Sequence, residues 1–284
     1  MRIQTILLGF IVVGGIAPVK AQWLNYPTPG TPLKKDGTPD LNAKPPRATN
    51  GKPDLSGVWQ IPPTPPGEYE RLYGPIGSNY ALGDDPREFS KYFFDLLIDF
   101  KQGEEPIRPE AAAQTVKNRE NPIANSPRAH CLPLALPTRY FVTSPIKFFQ
   151  TPDAIAMYFE VDGAFRQIHT DGRPLPADPF PSWMGYSTGK WEGDTLVVDT
   201  AGFNGKTWLD SKGHPHSEAL RVQERFRRRD FGHMEIEATV EDPVVLTKPV
   251  TVKFALVLIP NSDVLENFCT EGERDQGYTH GQEK

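Results

Sequence analysis

Several things are scarce in this sequence, and each scarcity excludes something. No uninterrupted apolar run reaches the ~18 residues that a membrane-spanning helix needs, so no membrane span is expected. Positive charge is not concentrated either. The formal net charge is −5, and the one basic run, Arg225-Phe-Arg-Arg-Arg229, sits inside an alternating strand pattern. Nucleic acid requires a basic stripe and is excluded as a partner. The phosphate-binding loop, the dinucleotide fingerprint and the His-Glu-X-X-His zinc helix are all missing. No cofactor is expected, and with no Gly-X-Ser-X-Gly elbow recognised, a serine-hydrolase reading has no anchor and is set aside.

Cysteine is scarce too. Cys131 and Cys269 are the only two. The N-terminus makes their pairing the favoured reading. Arg2, the apolar stretch Ile6–Ile16 and the small-residue exit Ala17-Pro-Val-Lys-Ala21 form a secretory signal over residues 1–21. An exported chain meets an oxidising compartment, periplasmic or extracellular, where two distant cysteines join. Two unconnected buried thiols, or a nucleophile, are the alternatives.

Proline, by contrast, is abundant: 30 residues, about twice the usual share. Many fall in a leader over residues 22–54, which contains an echo. Asp36-Gly-Thr-Pro-Asp-Leu41 returns as Asn50-Gly-Lys-Pro-Asp-Leu55. Asp-Gly and Asn-Gly before X-Pro are turn chemistry, so two similar turns are expected in an extended arm over the domain surface, with a disordered tether as the alternative. Residues 55–284 then read as one domain. Its helical insertion, 87–119, holds two candidates: Arg87–Lys101, with a broad apolar face, and Pro109–Arg119, with proline at its first position.

The rest alternates with period two. Leu55–Ile61, Ile155–Val161, Phe165–Thr170, Gly185–Trp191, Thr195–Thr200, Ala219–Arg229, Met234–Glu241, Val250–Ile259 and Val264–Cys269 are strand candidates separated by Gly-containing turns. Arg221, Arg225 and Arg227 share one face opposite Glu235 and Glu237, which predicts a wet outer surface with cross-strand pairs. Eight or nine antiparallel strands with one apolar face must close on themselves. The expected fold is mostly β: an antiparallel, lipocalin-like barrel with a proline-rich arm and one or two helices. Gly57-Val-Trp59 resembles the opening strand of lipocalins.

Met184–Phe203, with its Trp-Glu-Gly-Asp-Thr-Leu-Val-Val core, stands beside Trp23–Gly30, Lys52–Trp59 and Glu241-Asp-Pro243. Together these segments resemble a large, mostly uncharacterised family of exported proteins from environmental bacteria. The resemblance spans nearly the whole mature chain. It implies export and a lipocalin-like barrel, and it carries no chemistry.

Candidate reacting groups lie in the turns. His169 and Asp171 bracket Thr170 at a strand end, an imidazole beside a carboxylate that suits a general base. The bland alternative is a rim histidine beside an Asp-Gly turn. Gly213-His-Pro-His-Ser-Glu218 sets two imidazoles and a carboxylate in one connection. His214 and His216 are taken as acid–base groups, with a zinc or copper pair completed by Glu218 or His169 as the lesser reading. Arg173, Trp183, Tyr186, Trp208, Glu218 and Arg225 are the candidate substrate contacts. Trp191-Glu-Gly-Asp194 reads as a tight hairpin over a packed tryptophan. Glu224 and Glu241-Asp242 are candidate buried charges paired across strands. The expectation is an acid–base lyase, isomerase or hydrolase acting on a small, partly apolar or aromatic molecule in the barrel mouth. A carrier with the same cavity, or a surface interaction module, is the alternative. The oligomeric state is left open.

Overall fold

The computed structural model describes residues 26–65, 67–73, 90–267 and 269. The expected signal segment and the first residues of the 87–101 helix lie outside them.

Among the described residues nine strands follow one another: β1 Gly57–Gln60, β2 Ile146–Gln150, β3 Ala154–Phe159, β4 Phe165–His169, β5 Tyr186–Glu192, β6 Thr195–Ala201, β7 Arg221–Arg228, β8 His233–Glu241 and β9 Val250–Leu258. They pair in sequence order, and β1 pairs with β9 to close a barrel. Alternation decides what is inside. On β8, Met234, Ile236, Ala238 and Val240 are buried, while Glu235, Glu237 and Thr239 between them are not. Trp59, Phe148, Phe159 and Phe226 fill the interior alongside them. At ~25 cal/mol per Å² of buried apolar surface, this packing is the main stabilising term.

The barrel is mixed, not purely antiparallel as expected. β4 and β5 run parallel, with Ile168 opposite Ser187 and His169 opposite Thr188. A hairpin cannot reach a parallel neighbour, so the chain must travel back before starting β5. Residues 170–185 make that return. Pro174, Pro176, Pro179 and Pro181 lack the amide a ladder needs, which keeps this crossover irregular. Strand β2 was not expected, because adjacent Phe148 and Phe149 obscure the alternation. They point to opposite sides: Phe148 is buried and Phe149 exposed. Residues 264–267, the first part of the expected strand Val264–Cys269, have no regular structure. β9 and β1 have already closed the barrel, so no edge remains for another strand.

Four α-helices lie among the described residues: α1 Glu68–Tyr73, α2 Lys91–Phe94, α3 Pro109–Glu120 and α4 Pro122–Asn125. α3 starts at the expected proline. Among its described residues, the expected 87–101 helix is helical only across α2. Two carboxylates stop it: the Leu96 amide donates to Asp210 Oδ2 (2.7 Å) and the Leu97 amide to Asp95 Oδ1 (2.9 Å). Amides bonded to side chains cannot continue an i→i−4 ladder. Phe93, Phe94, Leu96 and Leu97 are still buried, as the apolar face required.

The leader is bound to the barrel. Its two echoed segments make the same hydrogen bonds fourteen residues apart: Lys34 N to Thr38 O and Ala48 N to Lys52 O, then Asp40 N to Pro32 O and Asp54 N to Pro46 O. Phe231 N and Gly232 N donate to Ala43 O and Leu41 O. A Cβ on Gly232 would lie 2.4 Å from that of Leu41, so only glycine lets the arm approach. Arg47 grips Asp194 of the β5–β6 hairpin with two bonds, 2.6 and 2.7 Å. Cys131 and Cys269 form a disulfide spanning 138 residues, which chain entropy values at ~4–5 kcal/mol.

Candidate functional site

Two clusters of buried charge stand out, one inside the barrel and one beside it. The inner one is built on alternation. Arg166 and Ile168 of β4 point inward, and so do Glu224 of β7, Ser187 of β5 and Thr200 of β6. Arg166 forms a two-pronged pair with Glu224, one prong at 3.0 Å, at 2 % and 0 % exposure. Its remaining donors reach Tyr140 OH (2.6 Å), Ser187 Oγ (3.1 Å) and Thr200 Oγ1 (2.9 Å). Burial opposes the guanidinium charge, but Glu224 and Tyr140 outweigh it and hold Arg166 above its usual range. Burial pushes the Tyr140 phenol well above its ordinary value. Every donor is matched, and aromatic side chains fill the space around it. This cluster is a sealed structural core.

Gly185-Tyr-Ser-Thr-Gly189 has the Gly-X-Ser-X-Gly spelling of a nucleophile elbow, which sequence reasoning passed over. Ser187 sits within β5, buried, bonded to Arg166 and Thr200. A nucleophile elbow needs an exposed serine at a strand-to-helix turn, so the geometry lends that reading nothing.

The second cluster lies between the helical insertion and the connection from β6 to β7. Asp210 Oδ2 accepts from His214 Nδ1 (2.6 Å) and Oδ1 from the His214 amide (3.2 Å). Asp95 Oδ1 lies 3.9 Å from the same ring nitrogen, and Lys212 Nζ donates to Asp95 Oδ2 (2.7 Å). Two carboxylates thus face an ammonium and an imidazole. Burial lowers the proton affinity of His214, but the charge and hydrogen bond of Asp210, helped by Asp95, reverse that and raise its pKa. Nε2 of His214 has no partner among the described residues. The Asp95, Asp210 and His214 donor atoms lie within 4.8 Å of one another, near enough for one cation to bridge. Each already holds a hydrogen bond, from Leu97, Leu96 or within the pair, and Lys212 adds positive charge, so the network closes without an ion.

A cleft adjoins this network. Phe93, Arg128, Leu134, Thr138, Trp208, Asp210 and Ser211 are among its walls, and it is small and partly open to solvent. Asp210 belongs to both cleft and network. Trp208 was an expected substrate contact and lines the cleft. His216 is not part of the pair: Nε2 meets Thr207 Oγ1 (2.8 Å) and Nδ1 donates to Ser217 O (3.1 Å). With both nitrogens engaged, burial lowers its pKa, against a smaller pull from Ser217 and Asp242. The two histidines therefore do not form a chelating pair, and Glu218 is exposed rather than turned to them.

His169, Asp171, Arg173 and Tyr186 do come together, but outside the barrel. Positions 165, 167 and 169 alternate with the inward Arg166 and Ile168, so His169 faces out rather than into the mouth. Its ring stacks on Tyr186 at 5.1 Å. Arg173 holds Asp171 at 2.6 Å and reaches Tyr186 OH at 3.2 Å. Burial and the Arg173 charge lower the His169 pKa, and Asp171 partly offsets them. Arg225 also points outward and pairs with Glu192 (2.9 Å). Trp183 is half-buried in the crossover. Asp242 is buried and accepts from Ser217 N and Oγ.

No protein-family model, curated protein or solved structure matches this chain.

Proposed function

We propose that the protein is an exported acid–base enzyme, of lyase, isomerase or hydrolase type, acting on a small, partly aromatic molecule in the cleft beside Asp210. The observation that carries this is the Asp210–His214 pair. A carboxylate accepting Nδ1–H fixes the tautomer and leaves Nε2 as the nitrogen that exchanges a proton, the arrangement that serves acid–base catalysis elsewhere. Its raised proton affinity suits His214 to act first as a general acid near neutral pH. Phe93, Leu134 and Trp208 would hold an aromatic ring, with Arg128 and Ser211 on the polar side. Export rests on the N-terminal signal pattern and agrees with a disulfide.

The test is a turnover screen of the mature chain on small aromatic esters, lactones and β-hydroxy acids. His214→Gln should lower kcat/KM on a responding compound by ~10²–10⁴. Full activity in that variant would remove His214 from the reaction. Binding without turnover, unchanged in His214→Gln, would make the cleft a carrier site.

A further inference from the structure

The outside of the barrel has two unlike halves. Outward positions on β7, β8 and β9 carry Arg221, Arg225, Arg227, Glu235, Glu237 and Lys253. On β2, β3 and β4 the outward positions are Lys147, Phe149, Ala154, Ala156, Tyr158, Phe165, Gln167 and His169, and Tyr186 of β5 continues the surface. Among the outward positions of β2–β4 Lys147 carries the one fixed charge, neutralised by Asp263 at 2.7 Å, and beside Tyr186 the Arg173 guanidinium is held by Asp171 at 2.6 Å. Phe149 and Phe165 are 49 % and 58 % exposed. A folded protein gains nothing by itself from displaying such rings.

Register places them. Phe165 lies directly opposite Tyr158, and Phe149 lies opposite Ala156, one diagonal step away. His169 stands four residues along β4 from Phe165, ~13 Å at the usual rise per residue, and is stacked on Tyr186. Two aromatic platforms are therefore separated by the Gln167 amide, which contacts His169 Nδ1 at 3.5 Å.

The chemistry selects the ligand. A protein partner would be expected to cover a continuous apolar patch with a charged rim, and a lipid surface would call for lysines and arginines around the apolar face. Here rings alternate with an amide and an imidazole, and the charges beside them, Lys147 with Asp263 and Arg173 with Asp171, are neutralised in pairs. A pyranose fits that alternation, because its C–H face stacks on an aromatic ring while its hydroxyls need neutral donors and acceptors. We infer that the outer face of β2–β4, extended by Tyr186 of β5, is a binding platform for a neutral glycan, laid along β4 from Phe165 to the His169–Tyr186 stack. The platform is independent of the cleft, and its test does not involve turnover.

Native affinity electrophoresis of the full mature chain through gels containing a soluble β-glucan, xylan or mannan reads this directly. At least one neutral polysaccharide should retard the wild type. Phe165→Ala and Tyr186→Ala should each remove most of the retardation, whereas Arg227→Ala, on the charged half, should leave it unchanged. All three positions are on the surface, so matching melting temperatures would establish that the variants are folded. No retardation by any of the three polysaccharides would overturn the inference. So would retardation unaffected by Phe165→Ala and Tyr186→Ala, or a concentration-dependent dimer abolished by Phe165→Ala, which would assign the face to a second copy of the chain.

Discussion

The Arg166–Glu224 cluster and the Asp210–His214 cluster are both charge taken out of water, yet they have opposite characters. Inside the barrel, a permanently charged guanidinium meets a carboxylate, a phenol and two hydroxyls, and nothing is left over. Between the insertion and the β6–β7 connection, the cation is an imidazole, which titrates, and one of its nitrogens has no partner among the described residues. The first cluster holds a shape. The second holds a proton beside a cleft. Under the proposed function, burial alone is a poor marker of a site, and an unspent nitrogen on a titratable group is a better one.

The largest effect should separate the two at once. Glu224→Ala leaves Arg166 buried and uncompensated and should cost ~3–5 kcal/mol in urea unfolding. A cost below ~1 kcal/mol would show that water reaches the barrel interior and would undo the contrast. Asp210→Asn should cost less, ~1–3 kcal/mol. It should also weaken any activity as strongly as His214→Gln does, because the imidazole loses its orientation.

The pH dependence of stability sharpens the comparison further. His214 has a raised pKa in the folded state, so its contribution is complete below the unfolded value of ~6.5 and is lost as pH rises through the folded value. His216 has a lowered pKa, so its contribution is present above ~6.5 and is lost as pH falls through the folded value. Unfolding free energies between pH 5 and 9 should therefore decline on both sides. His214→Gln should flatten only the alkaline side and His216→Gln only the acid side. The Arg166–Glu224 cluster should add no slope on the alkaline side. The smallest effect belongs to the outer surface: Arg227→Ala breaks an exposed 4.0 Å pair with Glu235 and should change stability by under ~0.5 kcal/mol.

What could be read in the sequence was local. The echo of Asp36–Leu41 in Asn50–Leu55 needed only turn chemistry, and the strands of β7, β8 and β9 needed only alternation. The outer arginine–glutamate surface followed from the same pattern. What was hidden depends on distant partners. Arg166 and Glu224 are 58 positions apart, and nothing near Arg166 marks it as buried. The early end of α2 is set by Asp210, 114 residues away from the amide it captures. The parallel β4–β5 pair is likewise invisible to periodicity. For the candidate site the sequence offered residue types without geometry: His169, assigned to the barrel mouth, faces out, and His214 bonds to Asp210, which the sequence reading did not single out.

The most direct test of the central claim is the ring nitrogen NMR spectrum of ¹⁵N-histidine-labelled protein between pH 5 and 9, in the wild type and in Asp210→Asn. The account predicts that the neutral His214 ring keeps its proton on Nδ1, that it titrates above ordinary histidine, and that Asp210→Asn brings that pKa down. A His214 ring protonated on Nε2 when neutral, or titrating at or below the ordinary value with no response to Asp210→Asn, would contradict it.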